Sequence, residues 1–163
     1  MSIDKDQLIA ALQPDPAEGW RLHRPEGEAP LLALATRQSR WERALFGGKL
    51  RLRGRTRYEV QCIFSVEQLD FNTLAQCTDL AADQLRRRLE RHTGPVRATL
   101  SAVILCHRAL PDALERLEQT RPNSALRHTA VHAAAVELGE GILTLSPGAK
   151  ALGLRVNAAR NKA

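Results

Sequence analysis

Between Leu50 and Phe64 the chain alternates with period two: Leu50, Leu52, Thr56, Tyr58, Val60, Cys62 and Phe64 interleave with Arg51, Arg53, Arg55, Arg57, Glu59 and Gln61. Successive side chains of a strand point to opposite faces, so this pattern makes one apolar side and one cationic side of a half-buried strand. The apolar side requires a core. The arginine side requires water, acids of its own chain or an anionic partner, because an unpaired guanidinium costs several kcal/mol to bury. Gly54 predicts a bulge or bend, since so long a strand rarely runs straight.

Charge is concentrated in the same region. Residues 37–58 hold eight of the 24 basic side chains, one acid, Glu42, and three aromatics, for a net +7 against +6 for the whole chain. Residues 1–36 and 59–90 are each net −3, while 91–120 are net +1 and 121–163 net +4. A polyanion partner would therefore meet the 37–58 segment first. Twenty of the bases are Arg and four are Lys. Guanidinium forks bind phosphate oxygens bidentately and stack on flat rings. Codon usage in a GC-rich genome produces the same bias, so the Arg excess by itself assigns nothing.

Two patterns compete over 37–46. Leu45-Phe46 and Lys49-Leu50 flank Gly47-Gly48, a two-residue turn whose positions both favour positive φ. Pairing outward sets Leu45 opposite Leu50, Glu42 opposite Arg53, Trp41 over Gly54 and Ser39 opposite Thr56. Alternatively, Ser39-x-x-Glu42 is a capping box and Trp41 and Leu45 share a helical face. The hairpin is favoured.

Elsewhere, Ile3, Leu8, Ala11 and Leu12 predict a short helix capped by Ser2 or Asp4 and ended by Pro14 and Pro16, with 13–30 as an irregular surface arm. Residues 67–92 turn helical, with Thr78 as a cap and Ala81, Leu85 and Leu89 on one face. Thr99–Cys106 is a continuous apolar run and predicts a buried central strand. Pro111 opens a helix through Leu117. Residues 124–138 are contested between strand and Ala-rich helix, 142–145 read as strand, and the turn at 146–150 leads into a last short helix. From Arg155 onward a frayed basic tail is expected. The fold class is α+β: a single domain over 1–163, with a core at 31–154 in which helices cover one face of a mainly antiparallel sheet.

In a strand, Arg51, Arg53, Arg55 and Arg57 stand about 6.5–7 Å apart on one side, near the spacing of successive phosphates. This predicts a non-catalytic nucleic-acid-binding protein, for DNA or RNA. Arg37, Arg40, Arg43, Lys49, Arg51, Arg53, Arg55 and Arg57 would hold phosphates, Trp41 and Tyr58 would stack on bases, and Arg86 to Arg88 and the tail would assist. The alternative is an assembly protein whose arginine strand pairs with an acidic partner or with a second copy in a homodimer. Third, Glu59-Val60-Gln61 on a strand before a helix containing Gln84 is similar to the pattern of restriction-endonuclease-like folds. That resemblance implies a degenerate nuclease, because Gln61 stands at the lysine position and no Asp precedes it within thirty residues.

No metal, cofactor or catalytic residue is assigned. His128 and His132 have the spacing of a zincin helix, with Thr129 where the general-base Glu belongs. On a helix they could share a metal; on a strand they would be about 13 Å apart and could not. Cys106 next to His107 reads as a buried small hydrophobe, since neighbours in a strand point to opposite faces. Three cysteines without CxxC spacing, no basic, apolar leader and no long apolar stretch lead to the expectation of a reducing cytoplasm with no membrane partner.

Overall fold

The structure, a computed structural model, describes residues 2–25, 27, 29–45, 48, 50–92, 96–119 and 129–163, with backbone alone at 41–45 and 50–55. Six strands form one sheet in chain order: β1 (Arg21–His23), β2 (Leu31–Leu45), β3 (Leu50–Leu69), β4 (Val96–Ala109), β5 (Thr129–Glu137) and β6 (Ile142–Leu145). Neighbours β1–β2, β2–β3 and β5–β6 are antiparallel, whereas β3–β4 and β4–β5 are parallel. The helices are α1 (Lys5–Leu12), α2 (Phe71–Leu89), α3 (Pro111–Gln119) and α4 (Lys150–Arg160). The α+β class and mainly antiparallel sheet are as expected. The two parallel pairs exist because α2 and α3 are crossovers that return the chain to the same end of the sheet.

Helices lie on both faces, where cover on one was expected. β4 shows why: Leu100, Ala102, Ile104 and Cys106 enter one core, and Val103 and Leu105 enter the other. A strand apolar at every position has two faces to bury. The first core joins Phe64 and the even β4 residues to Leu74, Cys77, Ala81 and Leu85 of α2 and Leu117 of α3. The second joins Ile63, Val103, Leu105 and Val136 to Leu8 and Leu12 of α1 and Leu152, Val156 and Ala159 of α4.

Three local expectations change. The 13–30 arm contains β1, which adds to the sheet beside β2. The helix after β3 starts at Phe71, capped by Asp70, whose carboxylate accepts from Thr73 N at 2.7 Å; Thr78 lies inside it and donates its hydroxyl proton to Leu74 O at 3.0 Å. The residues from Arg155 do not fray. They continue α4, whose Val156 and Ala159 are buried against the sheet. Arg155 donates to Gln61 Oε1, and Gln61 Nε2 donates to Leu12 O at 2.8 Å, tying α4, β3 and α1 together. Gly153 lets α4 sit close: a Cβ there would lie 2.5 Å from Leu145 Cδ1.

The β2–β3 hairpin forms, which excludes the capping box at Ser39. Leu45 pairs with Leu50 and Glu42 with Arg53, as expected; beyond an irregularity, Arg40 pairs with Thr56 and Ser39 with Arg57 instead of Thr56. The step from Arg40 to Glu42 on β2 matches the step from Thr56 to Arg53 on β3. The extra residue is therefore on β3, a bulge at 54–55 where Gly54 predicts one. A one-residue slip exchanges the faces of a strand. Register positions 51 and 53 thus fall in phase with 56 and 58, and position 57 falls in the opposite phase. The single row of four arginines is broken in two.

Candidate anion-binding cleft

A basic concavity lies on the face of the sheet that carries Arg40 and Tyr58. α2 packs across β3 and β4, beside β1 and β2 on the same face. Between those strands and the C-terminal turns of α2 lies a cleft of about 790 Å³. Arg21 and His23 of β1 form one wall. Thr36, Gln38 and Arg40 of β2, with Tyr58 of β3, form the floor, and Gln84, Arg87, Arg88, Arg91 and His92 form the other wall. Five guanidinium groups and two imidazoles converge there, with no carboxylate among the described lining residues.

Helical spacing explains the α2 wall. Gln84 and Arg88 stand at i and i+4 on α2, one stripe turned toward the sheet, and Arg91 follows in the turn after its end. Arg86 points elsewhere and pairs with Asp83. Cations in the last turn of a helix also offset its partial negative charge, worth about 0.3–1 kcal/mol each. That accounts for arginines on α2 but not for Arg21 and Arg40, which come from strands.

Arg88 is held firmly. Its Nη1 donates to Gln84 O and to Gln84 Oε1, both at 2.8 Å. These acceptors are neutral, so they fix the guanidinium without cancelling its charge. Opposite it, His23 Nε2 lies 2.9 Å from Thr36 Oγ1. Burial holds the His23 pKa below its ordinary value, and the charges of Arg88 and Arg21 push it further down. His23 is thus neutral at neutral pH, and the unfolded chain binds more protons in the window below about pH 6.5. Its contribution to stability is full above that pH and is lost on acidification. Melting midpoints measured from pH 7 to 5.5 should fall for the native chain and fall less for His23→Asn.

Of the residues expected to bind nucleic acid, the structure brings Arg40 and Tyr58 into this cleft. Tyr58 is only 8% exposed and stands edge-on to His92, with centroids 5.3 Å apart. It supports the floor and offers no open ring face for a base. Arg37 lies on the opposite face: it donates to Glu59 at 2.7 Å and stacks 4.8 Å above the ring of Trp20. That pair is the cross-strand salt bridge a neighbouring Arg and Glu make. Arg57 is exposed on that second face beside Arg97. Register places position 43 in phase with Arg37, and positions 51 and 53 in phase with Arg40. Position 55 falls at the bulge. The side chains of Trp41, Arg43, Arg51, Arg53 and Arg55 lie outside the described residues, as does Lys49.

Sequence reasoning passed over Arg21, His23, Arg91 and His92. The spacing of Gln84, Arg88 and Arg91 at i, i+4 and i+7, in a stretch expected to be helical, was a usable signal for Arg91. Arg21 and His23 carried none, because a three-residue edge strand is too short to show a period.

The other chemical candidates recede. Residues 129–137 form a strand, so His132 lacks the helical geometry of a shared metal site, and His128 lies outside the described residues. Gln61 is engaged by Leu12 and Arg155, and Glu59 by Arg37. Cys106 is buried with its thiol pushed up to about 11 by burial and by Glu137, and burial pushes Cys77 up to about 12. Both stay protonated and unreactive near neutral pH. No helix among the described residues is long and apolar enough to cross a membrane. No known protein family, curated protein or solved structure matches the chain.

Proposed function

We propose that the protein binds nucleic acid, without catalysis, through the cleft between α2 and β1–β2. One observation carries this: guanidinium groups from two strands and one helix converge on a common space with no acid among its described lining residues. Like charges gathered this way repel one another when the cleft is empty. A row of phosphates removes that penalty and releases condensed counterions, the main source of affinity for nucleic acid. Gln38 and Arg40 extend the cleft along β2 toward the hairpin. Recognition is of the backbone, since Tyr58 is closed to stacking. Fluorescence anisotropy of a labelled oligonucleotide at low salt tests the proposal. Saturable binding is expected for the native chain; no binding to either DNA or RNA removes it.

A second reading rests on a different feature. β1 pairs with β2 only at Leu34 to Thr36, and β4 meets β3 only from Thr56 onward. Residues 41–45 and 50–55 are therefore paired only to each other, with both edges of the hairpin open among the described residues. Open edges invite strand addition by an acidic partner or a second copy. Molar mass in solution tests self-association: a dimer that dissociates when Trp41 or Leu45 is replaced by Pro would favour assembly.

A further inference from the structure

We propose that the inner end of the cleft, where Arg88, Arg21, His23 and Thr36 meet, seats a terminal phosphomonoester: the phosphorylated end of a nucleic-acid strand. This rests on the nucleic-acid reading above and adds that the site takes an end and not the middle of a strand.

The floor of the cleft gives the first reason. Thr36, Gln38 and Arg40 follow one another on the same face of β2, each step about 6.5–7 Å. The next position inward, Leu34, is buried in the first core. The polar row therefore stops at Thr36, and a chain lying along it has to begin or end there. Charge gives the second. A phosphomonoester carries close to two negative charges near neutral pH, and an internal phosphodiester carries one. Arg88 and Arg21 both lie close enough to His23 to depress its protonation, so two guanidinium groups already share this spot, with the imidazole between them. No carboxylate of the described residues forms an ion pair with either one. Geometry gives the third. Arg88 is fixed by two bonds to Gln84, which is itself buried. A donor locked in place before the ligand arrives loses little freedom on binding. The Thr36 hydroxyl adds a neutral donor that an anionic oxygen can use in place of His23.

The same chemistry could be met by a free mononucleotide, but that ligand would leave Arg40 unused. A strand end uses the whole cleft: its terminal phosphate at Arg88 and its next phosphates along Gln38 and Arg40.

The test compares short single-stranded oligonucleotides of one sequence with a 5′-phosphate, a 3′-phosphate or hydroxyls at both ends, by anisotropy on the full chain. One phosphorylated end should bind at least about tenfold more tightly than the hydroxyl form, a difference of about 1.4 kcal/mol. Arg88→Gln should erase that preference while hydroxyl-ended strands still bind through Arg40 and Arg91. Thr36→Val serves as a second variant should Arg88→Gln lower the melting temperature, and it should reduce the preference without changing net charge. Equal affinity for all three ends, with binding retained, overturns the end-specific seat and leaves the nucleic-acid reading standing. A nucleoside monophosphate that competes as well as the phosphorylated strand also overturns it, in favour of a small-ligand site. Absence of binding to every oligonucleotide overturns both.

Discussion

Replacing Arg21, Arg40 and Arg91 together by Glu is expected to lower affinity for an oligonucleotide by at least about a thousandfold. All three side chains are exposed and line the cleft. A hydrogen bond to a charged group contributes about 1.5–3 kcal/mol, and each 1.4 kcal/mol is tenfold in affinity. Three contacts therefore account for about three powers of ten before repulsion by the new carboxylates is counted. Stability should hold, because exposed substitutions of this kind usually stay within about 0.5 kcal/mol each. Reversing Arg108, Lys150 and Lys162 instead is the matched control. These are also exposed, and the net charge changes equally. They lie away from the cleft, so affinity should drop only through the weaker long-range field. A similar loss in both triples would mean that net charge, and not the cleft, carries binding.

Leu85→Ala should do the opposite: lose stability and keep binding. Leu85 is fully buried in the first core, on the α2 turn before Arg88. Removing a buried leucine costs about 2–5 kcal/mol, through lost burial and the cavity left behind. For a chain of this size, a cost of about 3 kcal/mol lowers the melting temperature by roughly 6–12 °C. At a temperature where the variant remains folded, its affinity should be within about threefold of native, because the guanidinium groups are unchanged. A fall in affinity at full folding would show that the α2 wall depends on core packing more tightly than Gln84 and Arg88 alone suggest.

Much of the fold was legible because its longest elements have clean periods. The alternation from Leu50 to Phe64, the apolar run at Thr99–Cys106 and the Ala81–Leu85–Leu89 stripe each became the element they predict. Gly54 marked the bulge. Its consequence was not legible: period-two counting treats Arg51 to Arg57 as one row, and only the pairing with β2 shows the row changing faces. The C-terminal residues read as a tail because they are polar and basic, yet Val156 and Ala159, spaced i, i+3, were enough to dock a helix. The second covered face followed from β4 being apolar at consecutive positions, a sign present in the sequence.

The candidate site was legible only in part, for a physical reason. Sequence counting found basic residues close together in the chain, whereas the cleft assembles them across elements. Arg21 and Arg88 are distant in sequence and line one cleft because β1 and the end of α2 flank the same strip of sheet. Arg37 shows the reverse. It belongs to the basic stretch by number, but its charge is spent on Glu59 and Trp20.

A salt titration of binding tests the central claim most directly. With about four phosphates held by the cleft and its mouth, the logarithm of the association constant for a single strand should fall linearly with the logarithm of salt concentration, with a slope of about −3. The slope should shrink by about 0.7 for each cleft arginine neutralised. Binding that is indifferent to salt, or no binding at low salt, would contradict a phosphate-binding cleft.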